Sequence, residues 1–262
     1  MIAFHRLLWI FAALWYCATG DVWLVADEPF RIRVLCYNIH HGRGNDQNVD
    51  LERIAQVIRN SQADVVALQE VDQATARTNR VDQTATLAKL TGLNGKFIKQ
   101  IEYEGGEYGQ AVLTRWTLGS ANTYWLPGMP ERERRIACAI EIRAQQHEFT
   151  FITTHLHHAN STFREQQAQE INRLFQEKSG PAILCGDLNA EPHHATLDVL
   201  KQRWTLAQAE TNHWSFPSDK PTKQLDYVLY RPKESFRFVE SQVINEPMAS
   251  DHRPLLVILE LL

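Results

Sequence analysis

Three histidines fall within four positions at Thr154-His-Leu-His-His158, straight after a short apolar run. Read alone, His155, His157 and His158 suit a zinc site, because imidazole nitrogens are common ligands of that ion. Other groups stand in comparable places. Apolar runs end at Asn38 (VLCYN), at Glu70 (VVALQE) and at Asp187 (ILCGD), with Asn189 two residues further on. Asp226 opens another run (DYVLY), and Asp251 and His252 precede the last one. A strand-end Asp or Asn taken singly is usually a turn former. Six such places in one chain are harder to dismiss: carboxylates, amides and imidazoles gathered together can hold a divalent ion and move a proton.

The elements that must position these groups are readable from hydrophobic periodicity. Strands are expected at Arg31–Tyr37, Val65–Leu68, Gln110–Leu113, Ile136–Ile142, Phe149–Thr154, Ala182–Cys185, Leu225–Tyr230 and Leu255–Leu261. Helices are expected at Asp50–Arg59, where Leu51, Ile54, Val57 and Ile58 share a face, and at Val81–Leu90 and Phe163–Phe175. Strands outnumber helices, and helices do not follow every strand, so simple parallel winding fits poorly. An α/β sandwich of two mixed, mainly antiparallel sheets with helices outside fits better. Its chemistry should sit at strand ends and in the loops after them.

The bulk numbers agree with one large domain, expected over residues 27–262 of the 262. A formal charge of -4, with no block of Lys or Arg, argues against the basic stripe of a sequence-indifferent duplex binder. Leu7 to Ala18 is almost wholly apolar after Arg6, the length of a signal-peptide core. Residues 1–26 are therefore expected to direct export, with cleavage near 20 or 26; an uncleaved membrane anchor is the alternative. Beyond that segment Cys36, Cys138 and Cys185 each lie in an apolar run and read as buried core thiols. No obligate protein partner is evident, and a monomer is expected.

Taken together, Asn38-Ile-His-His-Gly42, Leu68-Gln-Glu-Val-Asp72, Thr154-His-Leu-His-His158, Gly186-Asp-Leu-Asn-Ala-Glu-Pro192, Leu225-Asp-Tyr-Val-Leu-Tyr230 and Ser250-Asp-His-Arg-Pro-Leu255 resemble the endonuclease/exonuclease/phosphatase superfamily. The likeness runs from about Arg33 to the C-terminus, in the family's order. It implies a four-layer α/β/β/α sandwich and metal-assisted hydrolysis of a phosphate ester, a phosphodiester of nuclease or lipid-headgroup type ahead of a monoester. Nucleic acid, lipid headgroup and small molecule all stay open as the substrate. By that resemblance Glu70, with Asn38 beside it and Asp251 as a second carboxylate, holds Mg²⁺ or Mn²⁺. Asp187 orients or deprotonates the attacking water, and Asn189 holds water or phosphate. Asp226 pairs with His252, which acts as base or as a cationic stabiliser, and His155 meets the scissile phosphate. Glu107 is the candidate to support His155. Where some members carry an acidic residue, this chain has His40, a departure that implies either a single-metal site or an imidazole aimed at phosphate.

The remaining basic and imidazole groups are placed more loosely. His40 and His41 are close enough to Asn38 to touch substrate. Arg77 and Arg135 are the arginines expected to meet an anion, since the guanidinium fork matches phosphate. His157 should share the face of His155 if the strand continues, and His158 should point away. His193 and His194 read as loop residues, and Trp214-Ser-Phe-Pro217 with Lys220 and Lys223 as a substrate-side loop or part of the core. Asn160-Ser-Thr162 spells a glycosylation triplet, read as a chance occurrence. Two other functions compete. A zinc hydrolase of the metallo-β-lactamase kind needs His-x-His-x-Asp-His, but Ala159 and Asn160 stand where Asp and His are required. A non-catalytic phosphate- or lipid-binding module would not need all six motif sites to keep competent residues.

Overall fold

The computed structural model describes residues 29–129, 133–209 and 212–262; the expected export segment lies outside them. In chain order the elements are β1 (Phe30–Asn38), α1 (Leu51–Ser61), β2 (Val65–Gln73), α2 (Gln83–Thr91), β3 (Asn94–Tyr103), β4 (Gly106–Thr114), β5 (Thr117–Trp125), β6 (Ile136–Ala144), β7 (His147–His155), α3 (Ser161–Phe175), β8 (Ala182–Asp187), α4 (Ala195–Lys201), β9 (Thr205–Leu206), β10 (Asp226–Arg231), β11 (Phe236–Val243) and β12 (Leu255–Leu261).

The strands form two six-stranded sheets, in the orders β11-β12-β1-β2-β4-β3 and β5-β6-β7-β8-β10-β9. Each sheet is antiparallel except for one parallel pair, β1 with β2 and β7 with β8. A parallel pair needs a crossover. Here α1 and α3 supply it, so each sheet contains one βαβ unit, which the sequence pattern alone does not reveal.

Strand alternation builds the layers. In β1, Ile32, Val34 and Cys36 face a core shared with Phe149, Phe151, Ile183 and Cys185 of the second sheet. Leu35 and Tyr37 point the other way, onto Ile54, Val57 and Ile58 of α1 and Leu87 of α2. On the second sheet Ile152 and Leu184 meet Ala168, Ile171 and Phe175 of α3 and Leu197 and Leu200 of α4. The central strands are thus apolar on both faces, the usual cause of continuous hydrophobic runs, and the result is an α/β/β/α sandwich. Cys36, Cys138 and Cys185 are buried and unpaired.

Helix starts follow capping chemistry. Asp50, expected inside the first helix, instead caps it, its carboxylate accepting from the Arg53 N–H at 3.0 Å. Asp82 does the same for α2 at 2.9 Å, and Gly92, at φ +73, ends that helix. Asn160, the first residue of the glycosylation triplet, caps α3 by accepting from the Phe163 N–H at 3.0 Å. Its side chain thus has a structural use.

Candidate active site

Both parallel pairs end at the same cleft. In the first sheet Asn38 is the last residue of β1 and lies in register with Gln69 of β2. Glu70 follows on a bulge: opposite β4 the register passes from Gln69–Gln110 to Val71–Gly109, leaving Glu70 unpaired at φ +58. A bulge re-aims a side chain. The left-handed backbone of a residue with a Cβ costs on the order of 1–3 kcal/mol, so this carboxylate is turned toward the cleft against a conformational penalty. The Asn38 amide reaches both sheets, donating from Nδ2 to Glu70 Oε1 and to Asp187 Oδ2, each at 3.1 Å. Ser250 Oγ donates to the Asn38 carbonyl at 2.7 Å and ties the segment before β12 to the same strand end.

In the second sheet His155 and Asp187 stand side by side at the ends of β7 and β8, and Asp226 pairs across from Asp187 on β10. Asp187 Oδ2 lies 3.5 Å from His155 Nε2 and 3.7 Å from His252 Nε2. Its other oxygen accepts from the Asn189 N–H at 2.8 Å, and Asn189 Nδ2 donates to the Leu156 carbonyl at 3.1 Å. His252 Nδ1 is 2.8 Å from Asp226 Oδ2, which also accepts from Ser215 Oγ at 2.6 Å. His155, Asp187, Asp226 and His252 are all buried.

Burial without water shifts these groups strongly. It opposes charge on His252, but Asp226 and then Asp187 outweigh it and lift the imidazole to about 10. His155 moves the other way, well below the usual histidine range, through burial and then Arg135 and His252. Burial raises Asp187 against the pull of His252. The site therefore pairs one imidazolium with one neutral imidazole on either side of a carboxylate.

The first-sheet side fits a divalent ion. Ligand atoms of His40, His41 and Glu70 lie within 4.8 Å of one another, and buried His41 Nδ1 has no hydrogen-bond partner. Two imidazole nitrogens and one carboxylate can hold a divalent ion, imidazole suiting transition ions and carboxylate suiting harder ones. Asp251, expected as a second carboxylate ligand, is not in that group. Its Oδ1 lies 3.7 Å from His40 Nδ1. The nitrogen that replaces an acidic residue in this chain therefore sits among the candidate ligands.

Several other expectations need correction. Glu107 does not support His155: along β4 it is Tyr108 that faces the hollow beside Glu70, and Glu107 pairs with Lys99 at 2.8 Å. The acidic neighbour of His155 is Asp187. Arg77 borders the same hollow, but Asp72 grips its Nε and Nη2 at 2.7 and 2.8 Å, so its fork is not open to a phosphate. Arg135 is 3 % exposed, with Nη1 2.9 Å from Glu133, Nη2 3.4 Å from His158 Nδ1 and Nε without a partner. The strand stops at His155, so alternation no longer governs the next two histidines. His157 Nδ1 accepts from the N–H groups of Ala159 and Asn160, and it is His158 that borders a second hollow of about 330 Å³. Arg164, Asn189, His194, Lys223 and His252 line that hollow too. The Trp214 loop does reach the site, Phe216 lying 4.9 Å from the His252 ring. Sequence reasoning does not reach Ser215 or Arg164: one is a small residue in an irregular loop, the other one charge among several on a helix.

A family model described as the Endonuclease/Exonuclease/phosphatase family matches residues 35–252. Nocturnin of Mus musculus is 28% identical over 149 residues, which cover 50% of this chain and 33% of that protein, so the match spans about a third of the relative's length. The human Nocturnin catalytic domain, solved with a bound sulfate anion, superposes with a TM-score of 0.69 at 22% identity, covering 89% of this chain and 94% of that one. An endonuclease/exonuclease/phosphatase from Beutenbergia cavernae gives a TM-score of 0.71 at 23% identity, over 88% and 72% of the two chains. At these identities the superpositions speak for the fold. The sequence match, extending from β1 to His252, carries the stronger statement: this chain belongs to the endonuclease/exonuclease/phosphatase family, whose members are hydrolases acting on phosphate esters.

Proposed function

We propose that the protein is a divalent-metal-dependent phosphodiesterase, and that export and action as a monomer go with that role. The observation that carries the reading is the convergence on Asp187 Oδ2, which meets Asn38 Nδ2 at 3.1 Å, His155 Nε2 at 3.5 Å and His252 Nε2 at 3.7 Å. One buried carboxylate thus touches the groups of both sheets, the position a water-activating base needs. Asp187 takes the proton of the attacking water, which the Asn189 amide helps to orient, as the P–O bond to the departing alcohol breaks and that oxygen takes its proton from solvent. His252, held as an imidazolium by Asp226, faces the charge that develops on the phosphoryl oxygens. It is not the base, because it already carries its proton across neutral pH. Neutral His155 donates a hydrogen bond on the opposite side. A divalent ion held by Glu70, with Asn38, His40 and His41, would supply Lewis acidity at the phosphoryl oxygen.

A diester fits better than a monoester because the cleft has a hollow on each side, one beside Glu70 and one beside His252. Each ester substituent then has a place. The test is hydrolysis of bis(p-nitrophenyl) phosphate against p-nitrophenyl phosphate with Mg²⁺ or Mn²⁺. Wild type should favour the diester, and His252→Ala should lose about 10²–10³-fold in rate. Turnover of the monoester alone sinks the diester reading, and equal inactivity of wild type and variant sinks the enzyme.

A further inference from the structure

The hollow beside Glu70 has a volume of about 180 Å³ and is lined by Glu70, Arg77, Ile101, Tyr103, Tyr108 and Glu133. At roughly 30 Å³ per water it has room for one small ring. Its construction is rigid on one side. Asp72 is fully buried, accepts from Thr75 Oγ1 at 2.7 Å and grips Arg77 through two nitrogens. The Arg77 guanidinium then lies over Tyr103 at 4.6 Å and reaches Tyr108 at 5.5 Å from ring centre.

That arrangement decides what the hollow can take. A trimethylammonium group or a stacked base needs the electron-rich face of an aromatic ring, and here the guanidinium already covers ring face. Apart from the divalent ion proposed at Glu70, which faces the scissile phosphate, an anion meets no uncompensated cation: Asp72 neutralises Arg77, and Glu133 pairs with Arg135. Polar capacity is nevertheless left over. Neither tyrosine hydroxyl has a hydrogen-bond partner among the described residues, and Tyr103 is 37% exposed. Glu133 spends Oε1 on Gln100 and Arg135, both at 2.9 Å, and its Oε2 has no partner among those residues. Arg77 Nη1 is in the same position. These groups offer acceptors and donors together, and an alcohol is the small neutral group that is both.

We propose that this hollow is the subsite for the alcohol half of the substrate, a neutral polyhydroxylated ring such as a sugar or cyclic polyol esterified to the scissile phosphate. The inference rests on the phosphoesterase reading and names the substrate class for it. Hydroxyls of the ring donate to Glu133 Oε2 and accept from Tyr103, Tyr108 and Arg77 Nη1, while the phosphoryl group stays in the cleft by Glu70 and Asp187.

The experiment compares p-nitrophenyl phosphodiesters of glucose, choline and thymidine with the bare bis-aryl ester, using the full-length metal-loaded protein. The glucose ester should lead in kcat/KM by about ten-fold or more, the worth of one or two hydrogen bonds to a charged group. Tyr103→Ala and Glu133→Gln should each reduce the ratio of glucose ester to bare aryl ester by about five- to ten-fold, mainly through KM. Tyr103→Phe removes the hydroxyl and keeps the ring under Arg77, so it should lower the same ratio and reports even if Tyr103→Ala or Glu133→Gln, which also leaves buried Arg135 without its carboxylate, folds badly. Preference for the choline or thymidine ester, or a ratio that none of these variants moves, overturns the subsite while leaving the enzyme intact. If no ester turns over, the phosphoesterase reading fails on its own. Saturation-transfer NMR with glucose 6-phosphate then decides the subsite separately: binding that Tyr103→Ala and Glu133→Gln do not weaken overturns it.

Discussion

The first sheet brings Asn38 and Glu70 to the cleft on the parallel pair β1–β2, and the second brings His155 and Asp187 there on the parallel pair β7–β8. The two units share a topology and differ in finish. Glu70 is half-buried, displaced from its ladder onto a left-handed bulge, and the hydrogen bond it accepts comes from Asn38. Asp187 stays in register and fully enclosed, with both oxygens engaged and Asp226 and His252 packed against it. A metal-holding flank must leave lone pairs uncommitted, whereas a proton-moving flank must exclude water so that neighbouring charges can shift a pKa. The contrast supports the proposed division of the chemistry between the two flanks.

Stability should separate the flanks most sharply. Asp226→Ala leaves the His252 charge buried without its partner, a loss of about 3–5 kcal/mol for a broken buried pair. Glu70→Ala removes the Asn38 hydrogen bond and orphans no charge, so about 1 kcal/mol is expected, and Glu70→Gly should recover part of that by relaxing the φ of +58. Urea unfolding of the three variants reads these differences, while all three lose activity. Comparable destabilisation by Asp226→Ala and Glu70→Ala would abolish the distinction.

The same pair has a pH signature. His252 is raised in the folded state, so its ion pair contributes fully below the ordinary histidine pKa of about 6.5. That contribution is lost as pH rises toward about 10. Asp226→Asn removes the attraction, so the stability gap between wild type and variant should be largest at pH 6 and shrink steadily by pH 10. A gap that widens with pH would mean that His252 folds neutral.

Much of this was legible beforehand for a definite reason. Central strands buried on both faces, such as β1, β8 and β12, leave apolar runs whose polar ends mark the cleft, and the motifs supplied the order of Asn38, Glu70, His155, Asp187, Asp226 and His252. The strands that escaped are edges or short pieces. β3 and β11 have largely exposed outer positions, β5 is exposed along most of its length, and β9 spans Thr205–Leu206. Lys99 and Lys96 sit in β3 as edge strands often place lysine, which blurs the alternation. At seven residues α4 is too short for its period to declare itself. Within the site, geometry was the illegible part. Glu107 looked suitable until the pleat gave Tyr108 the cleft-facing position, and His158 gained its place because β7 ended at His155.

The smallest expected effect tests the outer rims. The hollow on the His252 side carries Arg164, His158, His194 and Lys223 against the single carboxylate of Glu191, while the Glu70 side holds tyrosines and a neutralised arginine. Lys223 is exposed and makes no ion pair among the described residues. An exposed charge of this kind acts through solvent, so Lys223→Ala should lower kcat/KM for bis(p-nitrophenyl) phosphate by about two- to five-fold at low salt. The deficit should vanish near 1 M salt, where the Debye length is about 3 Å. Tyr103→Ala should keep its effect on the glucose ester at both ionic strengths, because hydrogen bonds made inside a hollow are not screened. Were the two variants to respond to salt alike, the cleft would have one electrostatic character on both rims, and the orientation assigned to the two ester groups would have to be given up.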